Sequence, residues 1–411
     1  MLQMLGFAVF MTVIVVGVHY YLWHRLIKST TGPGPWRRGL TWALVAMALV
    51  TVGALAGARL FPAGVEHVIA WPGYIWFALM VYLLLFLVLL EIPRAIANRV
   101  SKRQEATAKA AGDVVADEEA EPSPEPEAPA AASPVLTRRL FIARTSAVVA
   151  GVGAAATVGF GMRSALGPPK IERVPITLAK LDPRMNGLRV AVVSDIHLGP
   201  LTGVGHTERI VRMINELDAD LVTIVGDLVD GSVAELGDLA RPLSELEKPS
   251  YFVTGNHEYY TSEGPQEWID ELRELGVTPL VNERVEITRG GAVLDLAGVN
   301  DLGGEASGQG PDLERALDGR DQARPVVLLA HQPLQVKEAA GFGVDLQLSG
   351  HTHGGQMAPF NMVVGLQQPV TAGLETVDGT QVYVTRGAGY WGPPVRVGAP
   401  PEITLLTLNA G

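Results

Sequence analysis

Long apolar stretches dominate the first quarter of the chain. Residues 5–23 contain no Asp, Glu, Lys or Arg, a second stretch covers 39–58, and a third covers 71–90 and ends at Glu91. Each has roughly the 20 residues that a helix needs to cross the hydrocarbon core of a bilayer. The pattern predicts a transmembrane region of three helices within residues 1–100. The alternative for any single stretch is a helix buried in a soluble core.

A polar interruption follows the third stretch. Residues 101–135 are rich in acidic side chains, prolines and alanines. This composition buries too little apolar surface to offset the entropy lost on ordering. We predict a disordered, semi-extended linker over 101–135, and the alternative is an acidic interaction segment.

A fourth apolar stretch covers 146–162 and lies within a segment, 136–165, that we predict to be a further transmembrane helix. Arg138 and Arg139 precede it. Paired arginines before an apolar stretch resemble the twin-arginine export signal, although such signals usually lie at the N-terminus. Ordinary basic flanking of a membrane helix explains the pair equally well.

Basic residues are distributed unevenly around the four stretches. They cluster between the first and second stretches and again between the third and fourth, whereas Arg59 alone lies between the second and third. Because basic loops remain in the cytoplasm, we predict that the N-terminus lies outside and that the linker lies in the cytoplasm. The residues after 163 are then extracytoplasmic.

The composition narrows the range of functions. The chain has 411 residues, of which 48% are hydrophobic, and its mean hydropathy of +0.23 excludes a disordered protein. A net charge of −11 argues against nucleic-acid binding, because no basic surplus neutralises phosphates. The absence of cysteine excludes disulfides, thiolate metal sites and cysteine nucleophiles.

The pattern changes at about residue 171, where short β-branched runs begin to alternate with amphipathic stretches. The runs predict strands over 188–193, 221–225, 251–254, 293–297, 326–329, 344–348, 382–385 and 403–408. The amphipathic stretches predict helices over 207–217, 233–246, 265–275 and 312–317, the first capped by His206–Thr207. Residues 171–411 are therefore expected to form one α/β domain.

Polar residues follow five of these strands at the point where each strand ends. The five segments are Asp195-Ile196-His197, Gly226-Asp227, Gly255-Asn256-His257-Glu258, His331, and Gly350-His351-Thr352-His353. Ligands of open α/β sheets bind at the carboxyl ends of the strands, so these side chains are expected to converge. Carboxylates and imidazoles at such spacings suit borderline divalent metals, whereas any one of them alone is more often a cap or a core residue.

In this order, the five segments resemble the motifs of the calcineurin-like metallophosphoesterases over about residues 186–409. The resemblance implies a metallophosphatase-type β-sandwich flanked by helices, a four-layer αββα arrangement, preceded here by the transmembrane region. It also implies that Asp195, His197 and His353 hold one metal ion, that Asn256, His331 and His351 hold another, and that Asp227 bridges both. His257 is then the candidate general acid, or a cation that stabilises the transition state.

The resemblance further implies hydrolysis of a phosphoester or pyrophosphate, including phosphodiesters, with two divalent ions drawn from Mn²⁺, Fe²⁺, Zn²⁺ and Co²⁺. The membrane arrangement and residues 350–356 also resemble a bacterial branch related to enzymes that hydrolyse UDP-2,3-diacylglucosamine. We therefore expect a multi-pass protein of a bacterial cell membrane that acts on a phosphorylated small molecule or lipid. One alternative is a membrane sensor or scaffold that binds a phosphorylated ligand without turnover. Another is a transporter or channel subunit, which the lack of paired charges inside the spans disfavours.

Three features near the motifs each have two interpretations. Glu258 either orients His257 or lies on the surface. Arg386 and Arg396 either contact a substrate phosphate or are solvated surface charges. The segment Tyr390-Trp391-Gly392-Pro393-Pro394 forms either an apolar lip of the site or a cover of the core.

Overall fold

The computed structural model describes residues 2–56, 63–115, 134–261 and 263–411. These residues belong to two compact units. The first comprises Met1–Ala54 and Ile75–Val158, and the second comprises Leu55–Tyr74 and Gly159–Gly411.

Long helices make up the N-terminal part of the chain. They are α1 (Leu2–Leu22), which continues as a π-helix over Trp23–Lys28, α2 (Pro35–Leu55), α3 (Ala63–Val115) and α4 (Pro134–Leu166). Among the described residues, three segments are long and apolar enough to cross a membrane, namely Pro35–Leu55, Gly64–Ala97 and Arg138–Leu166. The first predicted span falls in α1, where membrane crossing stays a prediction. Helix α3 continues into the predicted linker as far as Val115, and residues 116–133 of that linker lie outside the described residues.

Polar side chains of the first unit are paired with one another. Arg25 forms an ion pair with Glu91, and the Tyr21 hydroxyl donates to the same carboxylate over 3.1 Å. Both charged residues lie at predicted span ends on the side predicted to be cytoplasmic. His19 accepts a hydrogen bond at Nε2 from the Trp76 indole over 3.1 Å. A buried histidine with such a partner is accounted for by packing.

The second unit contains two six-stranded sheets. Their strands are β1 (Lys170–Leu178), β2 (Leu188–Val193), β3 (Leu221–Val225), β4 (Ser250–Val253), β5 (Thr278–Pro279), β6 (Glu283–Arg289), β7 (Ala292–Gly298), β8 (Val326–Leu329), β9 (Leu346–Ser349), β10 (Gly373–Val377), β11 (Thr380–Val384) and β12 (Glu402–Ala410). The orders are β1-β12-β2-β3-β4-β5 and β10-β11-β9-β8-β7-β6. Strands β2, β3 and β4 run parallel in one sheet, and β7, β8 and β9 run parallel in the other.

Three layers of apolar contact hold the unit together. The inner faces of the two sheets share one core, in which Val190 and Val192 of β2 pack with Leu329 of β8 and Leu348 of β9. Helices cover both outer faces: α5 (Val204–Asn215), α6 (Val233–Ala240) and α7 (Gln266–Glu274) on the first sheet, and α8 (Leu313–Leu317) and α9 (Val336–Gly341) on the second. The structure therefore confirms the expected four-layer αββα sandwich.

Continuous apolar runs were the easiest elements to predict. The ranges 188–193, 221–225 and 326–329 coincide with β2, β3 and β8, whose residues are buried except for Arg189 of β2. The sequence pattern does not predict strands β1, β6 and β10, because exposed polar residues interrupt their apolar pattern. The cap predicted at His206–Thr207 is wrong: α5 begins one turn earlier, with Gly203 at the N-cap.

Candidate metal centre

The five polar segments meet at one edge of the sandwich. Asp195 and His197 follow β2, Asp227 follows β3, and Asn256 and His257 follow β4. From the other sheet, His331 follows β8, and His351 and His353 follow β9. Because parallel strands present their carboxyl ends on one side, the sheet order itself brings these side chains together.

Five of these residues have a left-handed backbone. The φ angles are positive at Asp195, His197, Asp227, His351 and His353, between 50° and 69°. This region is unfavourable for residues other than glycine, although Asp, Asn and His enter it more readily than most. The sharp turns direct each side chain back across the strand end, toward its neighbours.

Asp195, His197 and His353 form the first cluster, with one ligand atom from each lying within 4.8 Å of the others. The Nε2 atom of His353 lies 3.3 Å from Asp195 Oδ1 and 3.1 Å from His197 Nε2. All three residues are buried. The structure thus brings together the three side chains predicted to hold one ion.

Asp227, His331 and His351 form the second cluster, within the same 4.8 Å limit. Asn256 joins it, because its Oδ1 lies 2.9 Å from His351 Nδ1. The Asp227 Oδ2 atom lies 3.2 Å from His331 Nε2 and 3.8 Å from His197 Nε2. A single carboxylate oxygen therefore faces histidines of both clusters, as a bridging ligand must.

The donor set fits divalent cations. The Nδ1 atom of His331 donates to the Val225 carbonyl over 2.7 Å, which leaves Nε2 as the free nitrogen. That Nε2 atom is buried and has no hydrogen-bond partner among the residues that the structure describes. Burial lowers the pKa of His351 to about 4, so this imidazole is neutral at physiological pH. A neutral imidazole with an unused nitrogen is the form that binds a metal.

Asp230 is a site residue that the sequence analysis did not assign. Its Oδ1 accepts hydrogen bonds from Nδ1 of His197 over 2.8 Å and from Nδ1 of His257 over 2.7 Å. Burial alone raises the pKa of Asp230, but the charges and hydrogen bonds of the two histidines outweigh it and hold that pKa below its usual range. By fixing the Nδ1 proton of His197, Asp230 leaves Nε2 of that ring free for a metal. Its position three residues after Asp227 is the only sequence signal for this role.

His257, the candidate general acid, lies beside the clusters. Its Nε2 is 4.0 Å from Asp227 Oδ2, and its ring meets the rings of Tyr260 and Trp391 with centroids 4.9 and 5.8 Å away. Burial alone lowers the pKa of His257, but the hydrogen bond to Asp230 and the charge of Asp227 outweigh it and raise that pKa to about 9. The raised pKa favours the imidazolium form, in which Nε2, the nitrogen that faces the clusters, also bears a proton.

Glu258 neither orients His257 nor lies on the surface, the two roles expected from the sequence. It is fully buried and accepts hydrogen bonds from the backbone N–H groups of Gly255 over 2.6 Å and Leu228 over 2.8 Å. Asp227 N–H also donates to it, over 3.2 Å. The carboxylate thus ties the loop after β3 to the loop after β4. Its role is to position the backbone that carries Asp227 and Asn256.

The two arginines also have structural roles. Arg396 is buried and donates to the backbone carbonyls of Gly389 and Arg386, and its Nη2 lies 3.1 Å from His353 Nδ1. Arg386 forms ion pairs with Glu172, at 2.7 Å, and with Glu402. Neither arginine is therefore a solvated surface charge, and the hydrogen bonds of both are directed into the protein.

Residues 390–394, after β11, serve both as a cover of the core and as an apolar lip of the candidate site. Tyr390 is buried and its hydroxyl donates to the Leu201 carbonyl over 3.2 Å, so it covers the core. Trp391 is 57% exposed and lies edge-on against His257. The indole therefore borders the candidate site from the solvent side.

Two glycines allow the loops to approach closely. A Cβ atom at Gly255 would overlap the Asp227 carboxylate, and one at Gly350 would overlap Ser194 and the Asp195 carboxylate. Both glycines lie within predicted motifs, and the close packing explains why side chains are excluded there.

A four-layer sandwich with Asp, Asn and His side chains gathered at its strand ends defines a metallophosphoesterase domain. The sequence of residues 188–355 matches the family model described as calcineurin-like phosphoesterase. The chain belongs to the calcineurin-like metallophosphoesterase family, as a relative from Aquifex aeolicus also shows. That protein, an uncharacterized metallophosphoesterase, is 35% identical over 246 residues, which cover 58% of this chain and 92% of the relative.

Other relatives occur in animals and bacteria. A transmembrane protein with metallophosphoesterase domain from Danio rerio is 42% identical over 262 residues, which cover 61% of this chain and 60% of that protein. An uncharacterized metallophosphoesterase from Helicobacter pylori is 40% identical over 253 residues, covering 60% of this chain and 66% of the relative. The chain thus spans about 60% of the length of the first of these two proteins.

Proposed function

We propose that this protein is a membrane-anchored phosphoesterase that hydrolyses a phosphoester or pyrophosphate bond with two divalent metal ions. The observation that carries the proposal is the position of Asp227 Oδ2, 3.2 Å from His331 Nε2 and 3.8 Å from His197 Nε2. A carboxylate shared in this way holds two ions close enough to act on one phosphate.

The ligands divide between two ions. Asp195, His197 and His353 would hold one, and Asn256, His331 and His351 would hold the other, with Asp227 between them. When bound, such ions polarise phosphoryl oxygens and lower the pKa of water. Nitrogen and oxygen donors suit Mn²⁺, Fe²⁺ and Zn²⁺.

The chain itself supplies the proton that the leaving group needs. His257 is protonated because Asp230 and Asp227 favour the imidazolium form. Its Nε2 proton faces the side of the site where a phosphate would lie, so it either reaches the leaving oxygen or stabilises the charge on the phosphate. Trp391 shields this ring on its solvent side.

The substrate we propose is a lipid-linked or cell-envelope phosphate. The membrane helices keep the site near a lipid surface, and the apolar face of Trp391 borders it. Activity on UDP-2,3-diacylglucosamine is a weaker proposal, because a cytoplasmic nucleotide-sugar lipid requires the opposite membrane orientation.

We propose that the chain crosses a bacterial cell membrane several times, with the second unit extracytoplasmic. Residues 63–70 precede the predicted apolar stretch 71–90 and belong to the second unit, where His67 Nδ1 lies 2.6 Å from the Pro200 carbonyl. The positive-inside pattern and this contact both support the proposal that residues 63–70 lie on the same side of the membrane as residues 171–411.

Membrane orientation can be tested cleanly because the chain lacks cysteine. A membrane-impermeant maleimide added to intact cells is expected to label an Ala323→Cys variant. An Ala128→Cys variant, in the predicted cytoplasmic linker, should be labelled only after lysis. The reverse pattern would show that the second unit lies in the cytoplasm.

Metal removal tests the activity itself. The full chain in detergent, stripped by a chelator, is expected to lose hydrolysis of bis(p-nitrophenyl) phosphate and to regain it with Mn²⁺, Fe²⁺ or Zn²⁺. Metal analysis of the active protein should give about two ions per chain. If metals instead restore binding of phosphate ligands with no hydrolysis of monoesters, diesters or pyrophosphates, the protein is a sensor or scaffold.

A further inference from the structure

One surface loop of the second unit is unusually apolar. Residues 354–374 contain no Asp, Glu, Lys, Arg or His over 21 positions. Within them, α10 (Asn361–Val364) and its flanks expose a group of side chains that we call the apolar loop: Phe360, Met362, Val363 and Leu366. Met362 is 73% exposed and Leu366 is 85% exposed. A contiguous exposed apolar group without charges marks a contact surface rather than ordinary solvent-facing residues.

Both ends of the apolar loop are fixed to the sandwich. At its start, Ala358 N–H donates to the Val397 carbonyl over 2.9 Å. At its end, Gln368 Oε1 accepts from Leu334 N–H over 3.0 Å, and Val370 is buried with Val382 and Val384. The apolar side chains are thus held on a firmly attached protrusion.

The segment that anchors the start of the loop also contacts the end of a membrane helix. Residues 395–397 pack against Gly161 of α4, where an added Cβ would overlap Val395, and Arg396 N–H donates to the Gly161 carbonyl over 2.9 Å. Gly161 lies five residues before the end of the span Arg138–Leu166. The apolar stretch 146–162 of this span ends directly before Arg163, so the turn that contains Gly161 lies at the end of the hydrophobic segment, where a spanning helix meets the membrane interface.

We propose that the apolar loop inserts into the lipid surface at the face of the membrane where α4 emerges. Residues 395–397 contact both the end of α4 and the start of the segment that carries the apolar loop. The apolar loop therefore lies beside the part of α4 that reaches the interface. Side chains without charge at this depth enter the headgroup and acyl boundary, about 5–10 Å deep, without desolvating an ion. The loop begins seven residues after His353, so insertion would fix the distance between the lipid surface and the candidate metal centre.

Lipid quenching tests the insertion independently of any enzymatic activity. The full chain, reconstituted in vesicles of neutral and anionic phospholipid, carries one environment-sensitive NBD dye at Met362→Cys or at Ala323→Cys. Ala323 is an exposed residue in the turn that precedes β8, at the edge opposite the metal centre. With its side chain in lipid, the dye at 362 is expected to show blue-shifted emission and loss of fluorescence to doxyl-labelled lipid. The dye at 323 should be quenched by aqueous iodide instead.

Two outcomes would overturn the proposal. Equal iodide quenching at 362 and 323 would show that the loop faces water. Protection of 362 from both quenchers would show that protein, such as a second copy of the chain, covers it. A Met362→Leu variant without the dye, compared with wild type by thermal unfolding, checks that substitution at this position leaves the fold intact.

Discussion

Replacing Asp227 by asparagine is expected to lower the turnover of bis(p-nitrophenyl) phosphate by about 10³-fold, the factor that several kcal/mol of lost transition-state stabilisation produces. The carboxylate is buried, and its Oδ2 faces histidines of both clusters. Asparagine keeps the shape but loses the negative charge and one of the two acceptor oxygens. It therefore cannot neutralise two cations at once.

Metal content separates this effect from misfolding. The Asp227→Asn variant should unfold near the wild-type temperature when metal-free and bind fewer than two ions per chain. Asp218→Asn is a suitable control, since its side chain is 75% exposed and pairs with Arg189 at the surface. Turnover of Asp227→Asn close to that of the control would refute the two-metal assignment.

Replacing His257 by glutamine is expected to lower hydrolysis of a phosphodiester with an alkyl leaving group by about 10²-fold or more, the usual contribution of a positioned general acid. The ring is protonated through its hydrogen bond to Asp230, and glutamine carries no transferable proton. A p-nitrophenyl ester needs less protonation of its leaving oxygen. The loss on that substrate should therefore be much smaller.

The ratio of the two losses distinguishes the roles left open for His257. A general acid gives a large loss on the alkyl ester and a small one on the p-nitrophenyl ester. A cation that stabilises the phosphate gives similar losses on both. His24→Gln, a histidine of the first unit, should change neither rate. Wild-type rates on both esters for His257→Gln would remove this residue from the mechanism.

Sequence reasoning located the ligand segments because each follows a predicted strand, and three of them follow strands that are largely apolar. The runs before Asp195, Asp227 and His331 are almost entirely buried, so their boundaries are visible as abrupt changes from apolar to polar residues. Once the strands are known to be parallel, the position of their polar ends follows from sheet geometry.

Roles that depend on contacts across the fold were not accessible in the same way. Glu258 accepts backbone hydrogen bonds from residues about thirty positions away, and Asp230 joins two histidines that come from different loops. Apart from the spacing of Asp230 from Asp227, the local pattern does not distinguish either residue from a surface carboxylate. Likewise, the sequence left Arg396 as either a substrate contact or a surface charge, and its burial depends on loops that are distant in sequence.

The left-handed backbone conformations at the strand ends couple the stability of the fold to the identity of the candidate metal ligands. Such backbone conformations raise the energy of the native state by about 1–3 kcal/mol each at non-glycine positions. Replacement by glycine would relieve that strain and would also remove a side chain that can bind a metal. The positions concerned are Asp195, His197, Asp227, His351 and His353. Release of backbone strain at these five positions is therefore coupled to loss of the metal-ligating side chains.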